Sequence, residues 1–122
     1  DYWRLMKLEV HESWAAFRAA YPEANLWFTS TKSPRDYAGL RYVDGDFLVF
    51  GRETKGLPEA MLSEHYDRCI RIPMRPEARS LNLSNSVAIV LYEALRQQGF
   101  PGLCGEGSLT GAQREGDWRD YV

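Results

Sequence analysis

The stretch from residue 72 to residue 99 constrains the fold more than any other part of the sequence. At its start, Ile70, Ile72 and Met74 alternate with an arginine and a proline, a pattern typical of a strand that is leaving its sheet. A polar loop follows, in which small hydrogen-bonding side chains alternate with leucines. The loop then runs into a segment of helical periodicity, so this stretch predicts a strand end, a loop and a helix in direct succession.

The helix is predicted from residue 86 to residue 98. Ser84 or Asn85 is the expected N-cap, because a side-chain oxygen there can accept hydrogen bonds from free backbone N–H groups. Gly99 is expected to end the helix, since glycine readily adopts the conformation found just after a helix. The apolar residues expected on its buried face are Val87, Val90, Leu91, Ala94 and Leu95.

A second loop follows the apolar run 47–50, which indicates another short strand. Gly51 and Gly56 lie five residues apart in this loop and bracket a carboxylate and two cations. Glycine lets a backbone approach a flat ligand closely, so the segment indicates a glycine-rich connection from a strand to a helix. That helix is expected at residues 58–65.

Further upstream, residues 26–29 form a short apolar run typical of a buried parallel strand. Trp14, Phe17 and Tyr21 recur at helical spacing before Pro22 and predict one more amphipathic helix. Strands and helices therefore alternate along the chain. This alternation predicts an α/β domain with a mostly parallel sheet.

Composition narrows the class of protein. The chain has 122 residues, 44% hydrophobic and 26% charged, as expected for one globular domain. Its formal net charge of −2 argues against a coat-like RNA binder but allows a local basic patch. No apolar run approaches the roughly 20 residues that span a membrane. Cys69 and Cys104 lack C-x-x-C spacing, and His11 and His65 form no cluster with them, so a reduced cytoplasmic setting without a metal site is expected.

Together, the two loops resemble the SPOUT class of S-adenosylmethionine-dependent RNA methyltransferases, the group with a deep trefoil knot. Residues 50–58 are similar to the second motif of that class, F-G-x-E-x-x-G-L-P. Residues 72–93 are similar to its third, I-P-M-x-P-x-x-R-S-L-N-L-S-N-x-V-x-x-x-x-Y-E. The wording is closest to the bacterial enzymes that methylate the wobble-nucleotide ribose of certain tRNAs. The resemblance implies a mostly parallel sheet flanked by helices, with a C-terminal trefoil knot, over residues 1–103.

The resemblance also implies a site for S-adenosylmethionine that needs no metal. The residues implied in cofactor binding are Thr29, Gly51, Leu57, Ile72, Ser80 and Leu81. The residues implied in catalysis are Glu53, Ser80 and Asn82. For Ser80 and Asn82, helix capping and loop hydrogen bonding stay open as an alternative, since these residue types favour both. For Thr29, the alternative is a threonine that merely ends a strand.

Partners are expected on two surfaces of the domain. The cations near the two motifs are expected to contact phosphates of the tRNA anticodon stem-loop: Arg52, Lys55, Arg71, Arg75 and Arg79. Members of the resembled family form homodimers through the helix predicted here at residues 86–98. Tyr92 is therefore expected at a dimer interface, where aromatic residues are effective anchors.

The first motif of the class, N-x-G-N-x-x-R, has no counterpart in this sequence. It carries the arginine expected to activate the ribose hydroxyl. We therefore expect the sequence to be a fragment that lacks an N-terminal strand and helix and cannot methylate RNA by itself. Residues 104–122 are rich in glycine and are expected to form a flexible tail. Trp118 and Tyr121 near its end could dock on another surface, but a disordered terminus is the expectation.

The leading prediction for the complete protein is 2′-O-methylation of the wobble ribose, at position 34, of a pyrimidine nucleotide in tRNA. Methylation of another tRNA or rRNA ribose by the same fold stays open. So does a noncatalytic RNA-binding or cofactor-sensing knot module. Presence of the first-motif arginine in a longer chain would favour an enzyme, and its replacement would favour the module.

Overall fold

A computed structural model describes residues 2–111 and residue 119. Its strands are β1 (Leu26–Thr29), β2 (Phe47–Val49) and β3 (Cys69–Ile70). Its α-helices are α1 (Trp14–Ala20), α2 (Glu59–Glu64) and α3 (Leu83–Gln97). Single 3₁₀ turns lie at Tyr2–Leu5 and Tyr66–Arg68. The strands form one parallel sheet in the order β2–β1–β3, which confirms the predicted α/β architecture.

Strand β1 is the centre of the sheet and is buried on both faces. Leu26, Trp27 and Phe28 are 5%, 8% and 0% exposed, as the continuous apolar run predicts. Successive side chains of a strand point to opposite faces, so these residues divide between two apolar clusters. One cluster, on the α3 face, consists of Trp27, Tyr42, Ile70, Val90 and Ala94. The other, packed by α1 and α2, consists of Leu26, Phe28, Leu62 and Cys69, with half-buried Phe17 against it.

Helix α3 begins earlier than the sequence indicates. Asn82 is the N-cap, and its side-chain oxygen accepts from the backbone N–H groups of Ser84 at 2.9 Å and Asn85 at 3.3 Å. The prediction of Ser84 or Asn85 as the cap was therefore wrong, because both residues already lie in the first turn. Gly99 has φ +79°, which confirms the predicted helix end.

The buried stripe of α3 is also narrower than expected. Val90 and Ala94 are buried, and Val87 and Leu95 are half-buried, but Leu91 is 40% exposed. The sheet contacts a stripe of residues spaced by four, and Leu91 lies on the neighbouring side of the helix. The expectation that Leu91 belongs to the core was therefore wrong.

Parallel strands place the connections that follow them at the same edge of a sheet. Here the segments that leave β1, β2 and β3 share that edge, and α3 begins beside it. Two of these segments recur below. The glycine loop is residues 51–57, between β2 and α2, and the proline loop is residues 73–81, which lead into α3.

Two expectations stay predictions. The predicted tail is exposed and without helix or strand at residues 104–111, whereas residues 112–118 and 120–122, including Trp118 and Tyr121, lie outside the described residues. The trefoil knot is likewise an expectation of the resemblance.

In the described part of the chain, no helix is both long enough and apolar enough to cross a membrane.

Candidate active site

A cleft of about 400 Å³ opens at the carboxyl-terminal edge of the sheet. Its walls come from the ends of β1 and β3, the glycine loop, the end of the proline loop and the first turns of α3. Apolar side chains such as Phe50, Leu57 and Met74 share the lining with hydroxyl and charged groups. Small-molecule sites have this size and this mixture of apolar walls with a few polar groups.

The cleft brings together most of the predicted site residues. All those predicted to bind the cofactor line it: Thr29, Gly51, Leu57, Ile72, Ser80 and Leu81. Glu53 lines it too, as do the predicted phosphate contacts Arg52, Lys55, Arg71 and Arg79. Arg75, Asn82 and Tyr92 are outside the lining. Residues separated by some 50 positions in the sequence thus share one cleft.

The glycine loop is closed by its own backbone. The N–H of Gly56 donates to the carbonyl of Arg52 at 2.8 Å, and these two residues form an isolated antiparallel bridge. Gly56 has φ +67°, a conformation that favours glycine. The closure leaves Glu53 exposed at the tip of the loop. The loop therefore presents its carboxylate from a fixed backbone.

Gly51 is required by this closure. A Cβ at Gly51 would lie 2.1 Å from the carbonyl carbon of Gly56 and 2.3 Å from the nitrogen of Leu57. Both are backbone atoms, which cannot move away as the end of a side chain can. The sequence predicted a glycine here to let a ligand approach. The structure corrects that reason, because the space is filled by the loop itself.

Thr29 has a structural partner at the mouth of the cleft. Its hydroxyl donates to the carbonyl of Val49 at 2.9 Å and so ties the end of β1 to the end of β2. This bond matches the alternative that the sequence left open, a threonine at a strand end. The hydrogen bond also fixes the positions of the two strand ends that border the cleft.

Asn82 lies beside the cleft rather than in its lining. Asn82 is exposed, and its Oδ1 caps α3. The capping role is the alternative that the residue type favours.

Lys32 contributes a charge that the sequence reasoning missed. It lines the cleft, and its Nζ lies 2.8 Å from Oε2 of Glu59 at the start of α2. The hydrogen bond from Lys32 lowers the pKa of the Glu59 carboxyl below its ordinary value. Ser86, one turn inside α3, is a second missed lining residue. The signal for Lys32 is its place just after a buried strand, where parallel sheets collect site residues.

Histidine, cysteine and acidic residues offer no ready metal site in the described ranges 2–111 and 119. No group of three or more of these side chains there could hold a metal ion. Burial raises the pKa of the Cys69 thiol, the largest cause of its shift. The cleft itself presents hydroxyl, carboxylate, ammonium and guanidinium groups around apolar walls.

A parallel α/β sheet with a cleft between the two motif segments at its carboxyl edge fits the SPOUT class of methyltransferase folds. The sequence profile of the SpoU rRNA Methylase family matches residues 1–92. The chain therefore belongs to that family.

Two relatives illustrate the likeness in sequence. A Lactobacillus gasseri protein, provisionally named an RNA (cytidine(34)-2′-O)-methyltransferase, is 46% identical over 107 residues, which are 84% of this chain and 58% of the relative. The tRNA (cytidine(34)-2′-O)-methyltransferase of Escherichia coli strain K12 is 43% identical over 103 residues, 84% of this chain and 66% of the relative. The chain thus spans under two thirds of the length of these relatives.

Solved structures agree with this fold. A Bacillus anthracis protein, provisionally described as an RNA methyltransferase, superposes with a TM-score of 0.81 at 40% identity, covering 84% of this chain and 67% of its own. The SpoU methyltransferase AviRb from Streptomyces viridochromogenes, in complex with AdoMet, superposes with a TM-score of 0.55 at 34% identity, covering 69% and 33%. These likenesses confirm the predicted fold class.

Proposed function

We propose that this chain is the cofactor-binding part of an S-adenosylmethionine-dependent methyltransferase that modifies the wobble ribose, position 34, of tRNA. One observation carries the proposal: the cleft gathers residues of both motif segments at the carboxyl ends of three parallel strands. The name of the Escherichia coli relative supports the substrate. The AdoMet complex of AviRb supports the cofactor.

The cleft residues fit this cofactor. Leu57, Ile72 and Leu81 supply apolar surface for a flat nucleoside, while Thr29 and Ser80 add hydroxyl groups. Gly51 acts indirectly, because it lets the glycine loop close. When bound, S-adenosylmethionine supplies a methyl group on a sulfonium. The cleft has to hold that methyl in line with a ribose oxygen, and positioning of this kind can accelerate a reaction greatly.

We propose catalytic support from Glu53, Ser80 and Asn82. Glu53 and Ser80 line the cleft from opposite loops. Their oxygens are able to accept a hydrogen bond from the ribose hydroxyl and to take on its proton as the hydroxyl loses it. The Oδ1 of Asn82 is committed to the cap of α3, which leaves its Nδ2 to donate to the ribose or the cofactor. The cap orients this amide, so one residue would serve both the helix and the site.

We propose that RNA phosphates lie against the exposed cations of the glycine loop and the proline loop. Arg52, Lys55, Arg75 and Arg79 are all exposed, and no ion pair holds any of them within the described residues. Unpaired surface cations are free to release counterions and contact phosphate oxygens. A local basic rim of this kind is compatible with a formal net charge of −2.

We propose a homodimer, formed through the outer side of α3, in the cytoplasm. Tyr92 is 55% exposed there, and its ring centroid lies 6.2 Å from that of Phe100. Leu91 and Phe100 are each 40% exposed, so apolar area continues along this side. Light scattering at micromolar concentration tests the proposal: the protein should be dimeric and Tyr92→Glu monomeric. A monomeric parent would contradict it.

Nucleoside mapping tests the function. The tRNA and rRNA of cells that lack the gene should be digested and mapped by mass spectrometry, with cells complemented by the whole gene as control. We expect specific loss of the 2′-O-methyl group at position 34 of tRNA. The experiment uses cells because the chain spans only part of the length of its relatives.

The same maps separate the alternatives. Loss at another tRNA or rRNA ribose would move the substrate while keeping the chemistry, an alternative that the rRNA Methylase family name favours. Unchanged methylation throughout would overturn the enzymatic proposal and favour a noncatalytic RNA-binding module.

A further inference from the structure

Arg71 differs from the other cations of the cleft. It lines the cleft at the end of β3 and is half-buried, whereas Arg52, Lys55 and Arg79 are exposed. Within the described residues, no hydrogen bond or ion pair engages its side chain. Its guanidinium nitrogens are not buried, so an anion that enters the cleft can reach them, and the partly enclosed surroundings strengthen the pairing.

Two other half-buried arginines, Arg35 and Arg68, show the contrast; a third, Arg18, has a buried Nη1 without a partner but lies outside the cleft. Arg35 donates to the backbone carbonyl of Cys69 at 3.5 Å and also to that of Asp67. Arg68 donates to the carbonyl of Leu26 at 3.2 Å and lies over the ring of Trp27. Both side chains are engaged by the fold. Arg71 is available for a ligand.

The backbone of Arg71 is also firmly placed. Its N–H donates to the carbonyl of Arg35 at 2.8 Å, and its carbonyl accepts from the N–H of Tyr37 at 2.9 Å. These two bonds form a parallel bridge with Asp36 and extend the sheet by one residue past β3. A side chain on a rigid support loses less entropy when it binds, so it is well suited to recognition.

We propose that Arg71 binds a carboxylate in the cleft, that of the amino-acid group of the cofactor. This inference rests on the proposed function. Guanidinium binds carboxylate with two parallel hydrogen bonds, and a partly enclosed cleft strengthens them. Glu53 lines the same cleft with the opposite charge. Together the two residues complement a ligand that carries a carboxylate beside cationic ammonium and sulfonium groups.

A phosphate of RNA is the other oxyanion that could reach Arg71. The carboxylate is favoured because Arg71 lies at the end of β3 and is half-buried, while exposed cations occupy the loops around it. A bulky, hydrated backbone phosphate meets exposed cations first.

Calorimetry with two ligands and two variants tests the proposal. S-adenosylhomocysteine carries the carboxylate, and 5′-methylthioadenosine has the same nucleoside and sulfur without it. Arg71→Gln should weaken S-adenosylhomocysteine binding by about 10- to 100-fold and leave 5′-methylthioadenosine unchanged, as expected for a lost charge-assisted pair. Arg41→Gln, which changes an exposed arginine outside the cleft, should alter neither affinity.

Each other outcome overturns the assignment. Equal loss for both ligands would make Arg71 a residue that shapes the cleft. Unchanged affinity for both, with weaker tRNA binding in a filter assay, would assign Arg71 to a phosphate. If the parent binds neither ligand, the proposed function falls and the inference with it. Should Arg71→Gln fail to fold in a melting experiment, Arg71→Lys carries the same comparison, with an expected selective loss of about 3- to 10-fold.

Discussion

The two loops that face each other across the cleft are held in different ways. The glycine loop is closed by a backbone hydrogen bond between Gly56 and Arg52 and by the tight fit of Gly51. The proline loop has one backbone bond of its own, from Ala78 to Arg75 at 3.0 Å, and its residues from 75 onward are exposed. One wall of the cleft is thus formed in advance. The other takes its position from the start of α3.

This difference suggests that the two loops have different roles in ligand binding. A loop fixed by its own backbone can select a ligand by shape without paying to become ordered. The proline loop has an internal bond too, but it is exposed from residue 75 onward and no contact like that of Gly51 fixes it, so it is well placed to fold over a bound ligand. We expect amide hydrogen exchange of the proline loop to slow when S-adenosylhomocysteine binds, with little change in the glycine loop.

The largest expected effect comes from breaking the fixed wall. Gly51→Ala should destabilise the fold by about 3 kcal/mol, because its Cβ overlaps backbone that cannot relax cheaply. Urea unfolding measures this change. Gly105→Ala is the control, since nothing lies near its Cβ, and it should change stability by less than about 0.5 kcal/mol. A Gly51→Ala protein as stable as the parent would contradict the close fit.

A smaller effect is expected where the proline loop joins α3. Asn82→Ala removes the cap and should cost about 0.5–2 kcal/mol of stability. Asn82→Asp keeps an accepting oxygen and should stay close to the parent. Thermal melting compares the three proteins, and hydrogen exchange should locate the loss in the first turn of α3. Equal melting temperatures of the parent and the alanine variant would contradict a stabilising cap at Asn82.

Acid should loosen the far end of α3. Arg96 and Gln97 donate hydrogen bonds to Glu93 and lower its pKa to about 2. The folded pKa is below the ordinary 4.5, so this contribution to stability is complete above about pH 4.5 and is lost as the pH falls toward 2.

The Glu93→Gln variant isolates that contribution. Melting temperatures of the parent and the variant should converge as the pH drops from 5 to 2, because the variant has no carboxylate to protonate. Gln97 also joins α3 to the chain between β1 and β2, through the carbonyl of Leu40 and the N–H of Tyr42, both at 2.9 Å. Parallel pH curves for the two proteins would assign the acid sensitivity to other carboxylates.

The smallest effect is expected at the rim. Lys32 and Glu59 are 63% and 79% exposed, so water and salt screen the pair. Glu59→Gln should lower the melting temperature slightly at low ionic strength and not at all in molar salt. The Glu12→Gln variant is a matched control, since Glu12 is exposed and no ion pair engages it among the described residues. A salt-independent loss would indicate that this pair shapes the cleft.

The sequence predicts β1 and β2 well because each is an apolar run followed by turn residues. Strand β3 is Cys69–Ile70 alone, so it is shorter than the alternation through Met74 indicates. The sequence places the start of α3 less well, since Asn82, Ser84 and Asn85 are all good caps and only the backbone path decides among them. Most of the residues that the motif resemblance implies line the cleft. The glycine pattern gives the wrong reason for Gly51, because the crowding there comes from a contact across the loop that local sequence patterns do not encode.

The same limit applies to burial. Leu91 fits the helical pattern as well as Val90 does, yet only the sheet decides which side of α3 is covered. Arg71 looks like its neighbouring cations in the sequence. Its half-burial depends on a backbone bridge to Asp36. Asp36 lies 35 positions earlier in the chain and belongs to neither motif.

The parallel order of the sheet also bears on how the protein is made. Cluster residues on the α3 face run from Trp27 to Ala94, so the face is complete only when most of the chain is available. The ribosome releases the N-terminal part first, and parallel strands cannot pair until the crossover between them exists. The apolar strand β1 therefore leaves the ribosome with neither neighbour and waits for α3 to cover it. Such non-local closure makes for slow folding and leaves an apolar strand exposed on the nascent chain until α3 has been synthesised.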